Sequence, residues 1–223
     1  MRFSKSEITA AMEATGMIPV FNHSDIEVAK SVVDSSYQGG VRVFEFTNRG
    51  ANSLEVFKAL KEYAKQYEDL ILGIGTIFTP AEAEEFLEAG ADFIVSPALI
   101  PNIGAFCNNK GILWIPGCGT VTEIYNAKEM GAEVVKAFPG NVLGASFVSA
   151  VKAVMPDLKI MPTGGVEPTE DNLSKWFGAG VVCVGMGSQL FKKEWIRNKD
   201  FAPLEKQIGQ TLELIQSIKK KNS

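Results

Sequence analysis

Short apolar runs alternate with longer amphipathic segments along this chain. The runs are MIPVF at 17–21, VRVFEF at 41–46, LILGIG at 70–75, DFIVS at 92–96, ILWIP at 112–116, EVVKAF at 133–138, LKIMP at 158–162 and VVCVG at 181–185. They give eight candidate strands. Nearly continuous apolar runs fit parallel strands that are covered on both faces.

The segments between them carry helix signals. Thr79-Pro80-Ala81-Glu82 supplies an N-cap, a proline at the first helical position and a capping-box glutamate. Ser24 with Glu27, and Thr120 with Glu123, repeat the capping-box spacing. Phe57, Leu60, Ala64 and Tyr67 hold one face at helical spacing. Four stretches, GGVRVFE, AGADFIVS, MGAEVVKAF and GAGVVCVG, read as helix end, glycine, then strand. Their last glycines, Gly40, Gly90, Gly131 and Gly180, leave room for two βα units in each interval. The pattern predicts a closed (β/α)₈ TIM barrel. An open doubly wound sheet is the alternative and needs a reversal of strand order. A further helix is expected before the barrel, from about Ser4 to Ala14 with Ser4 and Glu7 as a capping box. Another is expected after Pro203.

The length of 223 residues and the 46% hydrophobic content suit one barrel domain spanning 1–223. No apolar stretch is long enough for a membrane span, and the polar, amphipathic start is unlike a secretory signal, so a soluble cytoplasmic protein is expected. A net charge of −4 disfavours nucleic acid as a partner. The Lys219-Lys220-Lys221 cluster reads as a solvated helix end. Cys107, Cys118 and Cys183 are odd in number and lack CxxC spacing, which suggests buried free thiols rather than disulfides or zinc ligands. The one histidine, His23, cannot make a histidine-based metal site alone, and no metal is expected.

In such barrels the chemistry sits at the C-terminal ends of the strands. Lys136, near the end of the sixth run, is a lysine expected inside the barrel. Taken out of water, an amine favours its neutral form, whose lone pair can attack a ketone. A structural lysine, paired with a carboxylate or snorkelling to the rim, is the alternative. Alternation places Val41, Val43, Glu45 and Thr47 on one face. If that face is the interior, Glu45 can move protons at a reacting carbon, or it can simply balance Lys136. Arg49, at the mouth of the same strand, can grip a carboxylate by two parallel hydrogen bonds, or it is a surface arginine. Pro-Thr-Gly-Gly at 162–165 and Gly-Met-Gly-Ser at 185–188 follow the seventh and eighth runs, the usual phosphate position in these barrels.

Together these stretches resemble the 2-keto-3-deoxy-6-phosphogluconate (KDPG) aldolase and 4-hydroxy-2-oxoglutarate (KHG) aldolase family. The stretches that carry the resemblance are GVRVFEFTNR, ILGIGTIFTPAEAEEFLEAGADFIVSP, IPGCGTVTEI, EVVKAFP and MPTGGVEP with GMGSQLF, from about Ile18 to Phe191. The resemblance implies a cytoplasmic, trimeric, cofactor-free class I aldolase of the Entner–Doudoroff type. It would release pyruvate and glyceraldehyde 3-phosphate from KDPG, with KHG as a further substrate giving pyruvate and glyoxylate. Carried over by motif, Lys136 looks like the Schiff-base lysine and Glu45 like the general acid/base. Arg49 and Thr76 look like ligands of the pyruvate carboxylate, and Pro97 and Phe138 like pocket walls. Gly164, Gly165, Gly187 and Ser188 look like the phosphate cradle. Three stretches depart from the family pattern. Many relatives carry arginine at the end of the first strand, where this chain reads Val20-Phe21-Asn22-His23. The fourth strand is followed by Ser-Pro-Ala, and the lysine by Phe-Pro-Gly-Asn-Val-Leu-Gly.

Other classes remain open from sequence. A phosphosugar isomerase or synthase would share the glycine loops without an imine on Lys136. A metal-dependent aldolase would need ligands beyond Glu45. A metabolite-binding barrel without catalysis would need neither Lys136 nor Glu45.

Overall fold

The computed structural model describes residues 2–222. Eight strands run in the order expected: β1 Met17–Phe21, β2 Val43–Thr47, β3 Ile71–Gly75, β4 Phe93–Ser96, β5 Leu113–Cys118, β6 Val134–Ala137, β7 Lys159–Pro162 and β8 Val184–Met186. All observed pairings are parallel: β1 to β7 pair in chain order, and β1 also pairs with β8. A bridge between Thr163 and Gly185, and the Val182 amide donating to the Ile160 carbonyl at 3.1 Å, draw β7 and β8 together. No strand order reverses, so the architecture is the (β/α)₈ barrel and not the open sheet.

The helices are α1 Lys5–Thr15, α2 Ile26–Gln38, α3 Ser53–Tyr63, α4 Pro80–Glu88, α5 Pro101–Asn109, α6 Val121–Glu129, α7 Gly140–Val154, α8 Glu170–Gly178, α9 Lys193–Asn198 and α10 Ala202–Asn222. None of the described helices is long and apolar enough to cross a membrane. The capping boxes at Ser4/Glu7 and Thr79/Glu82 form in full. Two others differ from expectation. The N-cap of α2 is Asp25, whose carboxylate takes the Glu27 and Val28 amides, so Ser24 does not cap. At Thr120 only half the box forms, because Glu123 accepts from the Gly119 amide. The four punctuating glycines all have positive φ, between 83° and 105°, a backbone region that costs a Cβ-bearing residue.

Two shells of side chains hold the barrel. One lies between the strands and the outer helices. The other fills the interior, with Ile18, Val43, Ile71, Phe93, Leu113, Val134 and Met161 in contact with Ile8 and Met12 of α1. Helix α1 thus plugs the N-terminal end of the barrel. The amphipathic α10 lies over α2, and Gly39 makes that approach possible: a Cβ there would meet Ile208 Cγ2 at 2.7 Å and the Glu205 carbonyl at 2.9 Å. Helix α9 was not expected, and α10 starts one residue before Pro203. Helix α7 is broken at Gly144 (φ 74°, ψ 167°), inside the stretch that follows Lys136.

Candidate active site

Going up the inside of the barrel from the α1 plug, apolar side chains give way to charge. On β2 the inward positions are Val43, Glu45 and Thr47, and on β6 they are Val134 and Lys136. Glu45 is fully buried and Lys136 is 5% exposed. Their heads meet across the interior, with Lys136 Nζ 3.5 Å from Glu45 Oε1. The strands are not neighbours in the sheet, so this contact needs a closed barrel.

Gly75 on β3 makes space for the carboxylate, since a Cβ there would run into Glu45. Gly117 stands beside Lys136 on β5, and Gly73 beside Glu45 on β3. Lys136 Nζ also lies 5.4 Å from the centroid of the Phe138 ring, within reach of its electron-rich face. Glu45 Oε2 is buried and has no hydrogen-bond partner. Burying two ions costs several kcal/mol each unless their hydrogen bonds are complete. Here they are incomplete, so this pair is poorly explained as a device for stability. It suits a group waiting for substrate or water.

Above the pair opens a pocket of about 210 Å³. Arg49, Phe138, Gly164, Gly165, Gly187 and Ser188 line it, so six of the residues singled out in the sequence converge there. Arg49 Nε donates to Thr76 Oγ1 at 3.4 Å, which brings the ends of β2 and β3 together. Thr76 holds φ at +65°, a strained value for a threonine. Pro97 is not among the lining residues. It sits on the β4–β5 edge, with its carbonyl against Gly117.

Gly164 and Gly165 adopt φ of 95° and 69°, so the loop after β7 requires glycine at both positions. The amides of Gly164, Gly165, Gly187 and Ser188 donate to no protein acceptor among the described residues. Unpaired amides turned toward a common cleft form an anion site without a basic patch.

Thr163 was missed as a site residue. It lines the same pocket, is 8% exposed, and its Oγ1 is buried without a partner. The sequence holds a signal for it, since Thr163 continues the inward parity of Met161 on β7, beside the two glycines of Pro-Thr-Gly-Gly. The cysteines are all buried, and burial pushes each thiol up to about 12. Among the described residues, no group of three or more His, Cys, Asp or Glu side chains is arranged to hold a metal ion.

Comparison with known proteins matches this geometry to a family. The sequence model of KDPG and KHG aldolases matches residues 8–207. The 2-dehydro-3-deoxy-phosphogluconate aldolase of Treponema pallidum is 32% identical over 209 residues, covering 93% of this chain and 97% of that protein. The KHG/KDPG aldolase of Escherichia coli is 27% identical over 215 residues, 96% of this chain and 98% of that one. Among solved structures, KDPG aldolase from Legionella pneumophila, with pyruvate captured as a covalent carbinolamine intermediate, superposes with a TM-score of 0.79 at 27% identity. It covers 95% of this chain and 97% of its own. With a family match over most of its length and a barrel of the same architecture, this chain belongs to the KDPG and KHG aldolases, and so to the lyases.

Proposed function

We propose that the chain is a class I aldolase cleaving 2-keto-3-deoxy-6-phosphogluconate to pyruvate and glyceraldehyde 3-phosphate, with 4-hydroxy-2-oxoglutarate as a second substrate. The observation that carries this reading is the buried Lys136–Glu45 contact, 3.5 Å long, with a free carboxylate oxygen beside it. Transfer of a proton from Nζ to the carboxylate leaves a neutral amine, the form that attacks a carbonyl.

Lys136 adds to the C2 ketone, and the carbinolamine hydroxyl takes the proton held by Glu45 and leaves as water, giving an iminium and restoring the carboxylate. The iminium draws electrons from the C3–C4 bond as Glu45, directly or through a water, removes the C4 hydroxyl proton. Aldehyde leaves, the enamine takes a proton at C3, and water releases pyruvate and the free lysine. The iminium is itself the electron sink, so the scheme calls for no cofactor. Arg49 and Thr76 hold the C1 carboxylate, Phe138 and Pro97 wall the reacting carbons, and the amides of Gly164, Gly165, Gly187 and Ser188 take the phosphate. The carbinolamine seen in the Legionella pneumophila relative supports the lysine chemistry.

The whole chain acts as one domain, in the cytoplasm, and assembles as a homotrimer. Exposed apolar side chains at Phe78, Val121, Tyr125, Val142 and Val154 support self-association. Turnover tests the reading directly. Pyruvate should appear from KDPG in a lactate dehydrogenase-coupled assay, and no pyruvate from either keto acid would overturn it.

A further inference from the structure

A second cavity of about 480 Å³ opens on the other side of the β1 and β8 ends. Val20 lines the pocket above Lys136, and its neighbour Phe21 lines this cavity. From the glycine cradle the chain turns directly toward it, the Gly187 carbonyl accepting from the Leu190 and Phe191 amides. Phe21, Val28, Phe191 and Ile196 give it apolar walls. Lys193, Arg197 and Lys199 give it a cationic rim, with His23 and Asp25 on the facing loop.

The cations differ in what neutralises them. Lys199 sits 3.6 Å from the Asp25 carboxylate. Lys193 and Arg197 are exposed, and neither has an ion pair or hydrogen bond among the described residues. They stand four residues apart on a six-residue helix, a spacing at which like charges repel. Lys193 also lies in the first turn, where the helix dipole disfavours a cation. The chain as a whole is acidic, at −4, so this is not one part of a generally basic surface. A larger groove of about 860 Å³ at the opposite end of the barrel is also rich in lysine. There Lys61, Lys65 and Lys110 pair with Asp92, Glu62 and Glu84. At the α9 cavity two exposed cations, Lys193 and Arg197, border the opening, and neither is paired with a carboxylate among the described residues. His23 adds a donor: its Nδ1 accepts the Asp25 amide at 3.0 Å, so the neutral ring carries its proton on Nε2.

We propose that this cavity is a second anion site, which takes the phosphate monoester of a small metabolite. Arg197 offers two parallel N–H groups to the phosphate, Lys193 a point charge and His23 a further N–H. The apolar walls cover the carbon skeleton, and the volume is that of a small-molecule site. The proposal does not depend on the roles given to Lys136 or the glycine cradle.

Calorimetric titration of the full chain with phenyl phosphate at low salt tests it, alongside amide NMR of the same samples. Wild type should show two sites per chain, and the amides of His23 and Lys199 should shift on saturation. The double variant Lys193→Gln/Arg197→Gln should lose one site and those shifts, while kcat and KM for aldol cleavage stay within about two-fold. Ser188→Asp should lose the other site and keep the shifts at His23 and Lys199. If Ser188→Asp instead removed nothing, the cradle assignment would fail while the α9 site stood. A wild type without shifts at His23 and Lys199, or a double variant that retains them, would overturn the proposal. The wild-type shifts need no variant to fold.

Discussion

Glu45 Oε1 occupies the space that a side chain at Gly75 would need: a Cβ built on Gly75 would lie 1.9 Å from it. The two residues are on adjacent strands, and the glycine on β3 is what lets the carboxylate of β2 reach Lys136. Gly75→Ala should therefore push Glu45 away without touching the lysine. We expect kcat to fall roughly 10²–10⁴-fold, the range for loss of a general acid/base, while the imine still forms. Glu45→Gln should behave alike, and the double variant should be little worse than either single one, because both remove one function. Single-turnover kinetics with borohydride trapping would separate the steps. Equal loss of imine formation and cleavage would mean that Glu45 mainly sets the state of Lys136.

Thr163 separates a binding role from a structural one. Its buried hydroxyl has no partner, so it contributes nothing to the free fold that a methyl would not. Thr163→Val should leave stability unchanged or raise it by about 1 kcal/mol, since an unpaired buried polar group is lost. The same change should raise KM or lower kcat for the aldol substrate. Thermal unfolding and steady-state kinetics on one preparation check both. A destabilised protein with normal kinetics would contradict this.

The glycine loops should matter in proportion to the phosphate. Ser188 is exposed, so Ser188→Asp adds a charge where an anion is to bind, with little risk to folding. Its kcat/KM should fall far more for KDPG than for 4-hydroxy-2-oxoglutarate. Gly165→Val should act in the same direction but also strain the loop, because a Cβ there would lie 2.7 Å from Asn141 Cβ. A similar loss for both substrates would refute the phosphate assignment and leave the lysine chemistry untouched.

The thiols should be silent. With burial pushing Cys107, Cys118 and Cys183 up to about 12, the thiolate at pH 8 is roughly one part in 10⁴. A colorimetric thiol reagent at that pH should react with none of them until the chain is unfolded, and then with three. Fast reaction of one cysteine in the native protein would contradict the burial.

Much of this was legible because two codes agree in the chain. Apolar runs and glycine punctuation share one repeat, which is why eight strands and their order could be read before any contact was known. Lys136 and Glu45 stood out as charges inside strands, where charge is expensive to bury. The sequence leaves their meeting as one alternative, with Glu45 balancing Lys136, and cannot select it, because the contact spans the barrel rather than a pair of neighbouring strands. Ser24 and Asp25 both suit a cap by residue type, and the backbone geometry selects Asp25. The break at Gly144 and the α9 turn stayed hidden for a different reason. Both lie in loops whose shape is set by tertiary packing, where no period exists to detect. Thr163 was overlooked because threonine is common at strand ends, and only its unpaired oxygen marks it.

The most direct measurement is borohydride reduction in the presence of pyruvate, followed by peptide mapping. Wild type should be inactivated irreversibly, with one reduced pyruvyl adduct on the peptide carrying Lys136. Lys136→Ala should form no adduct and show almost no turnover. An adduct on another lysine, with Lys136 left unmodified, would contradict the assignment of the buried pair as the catalytic centre.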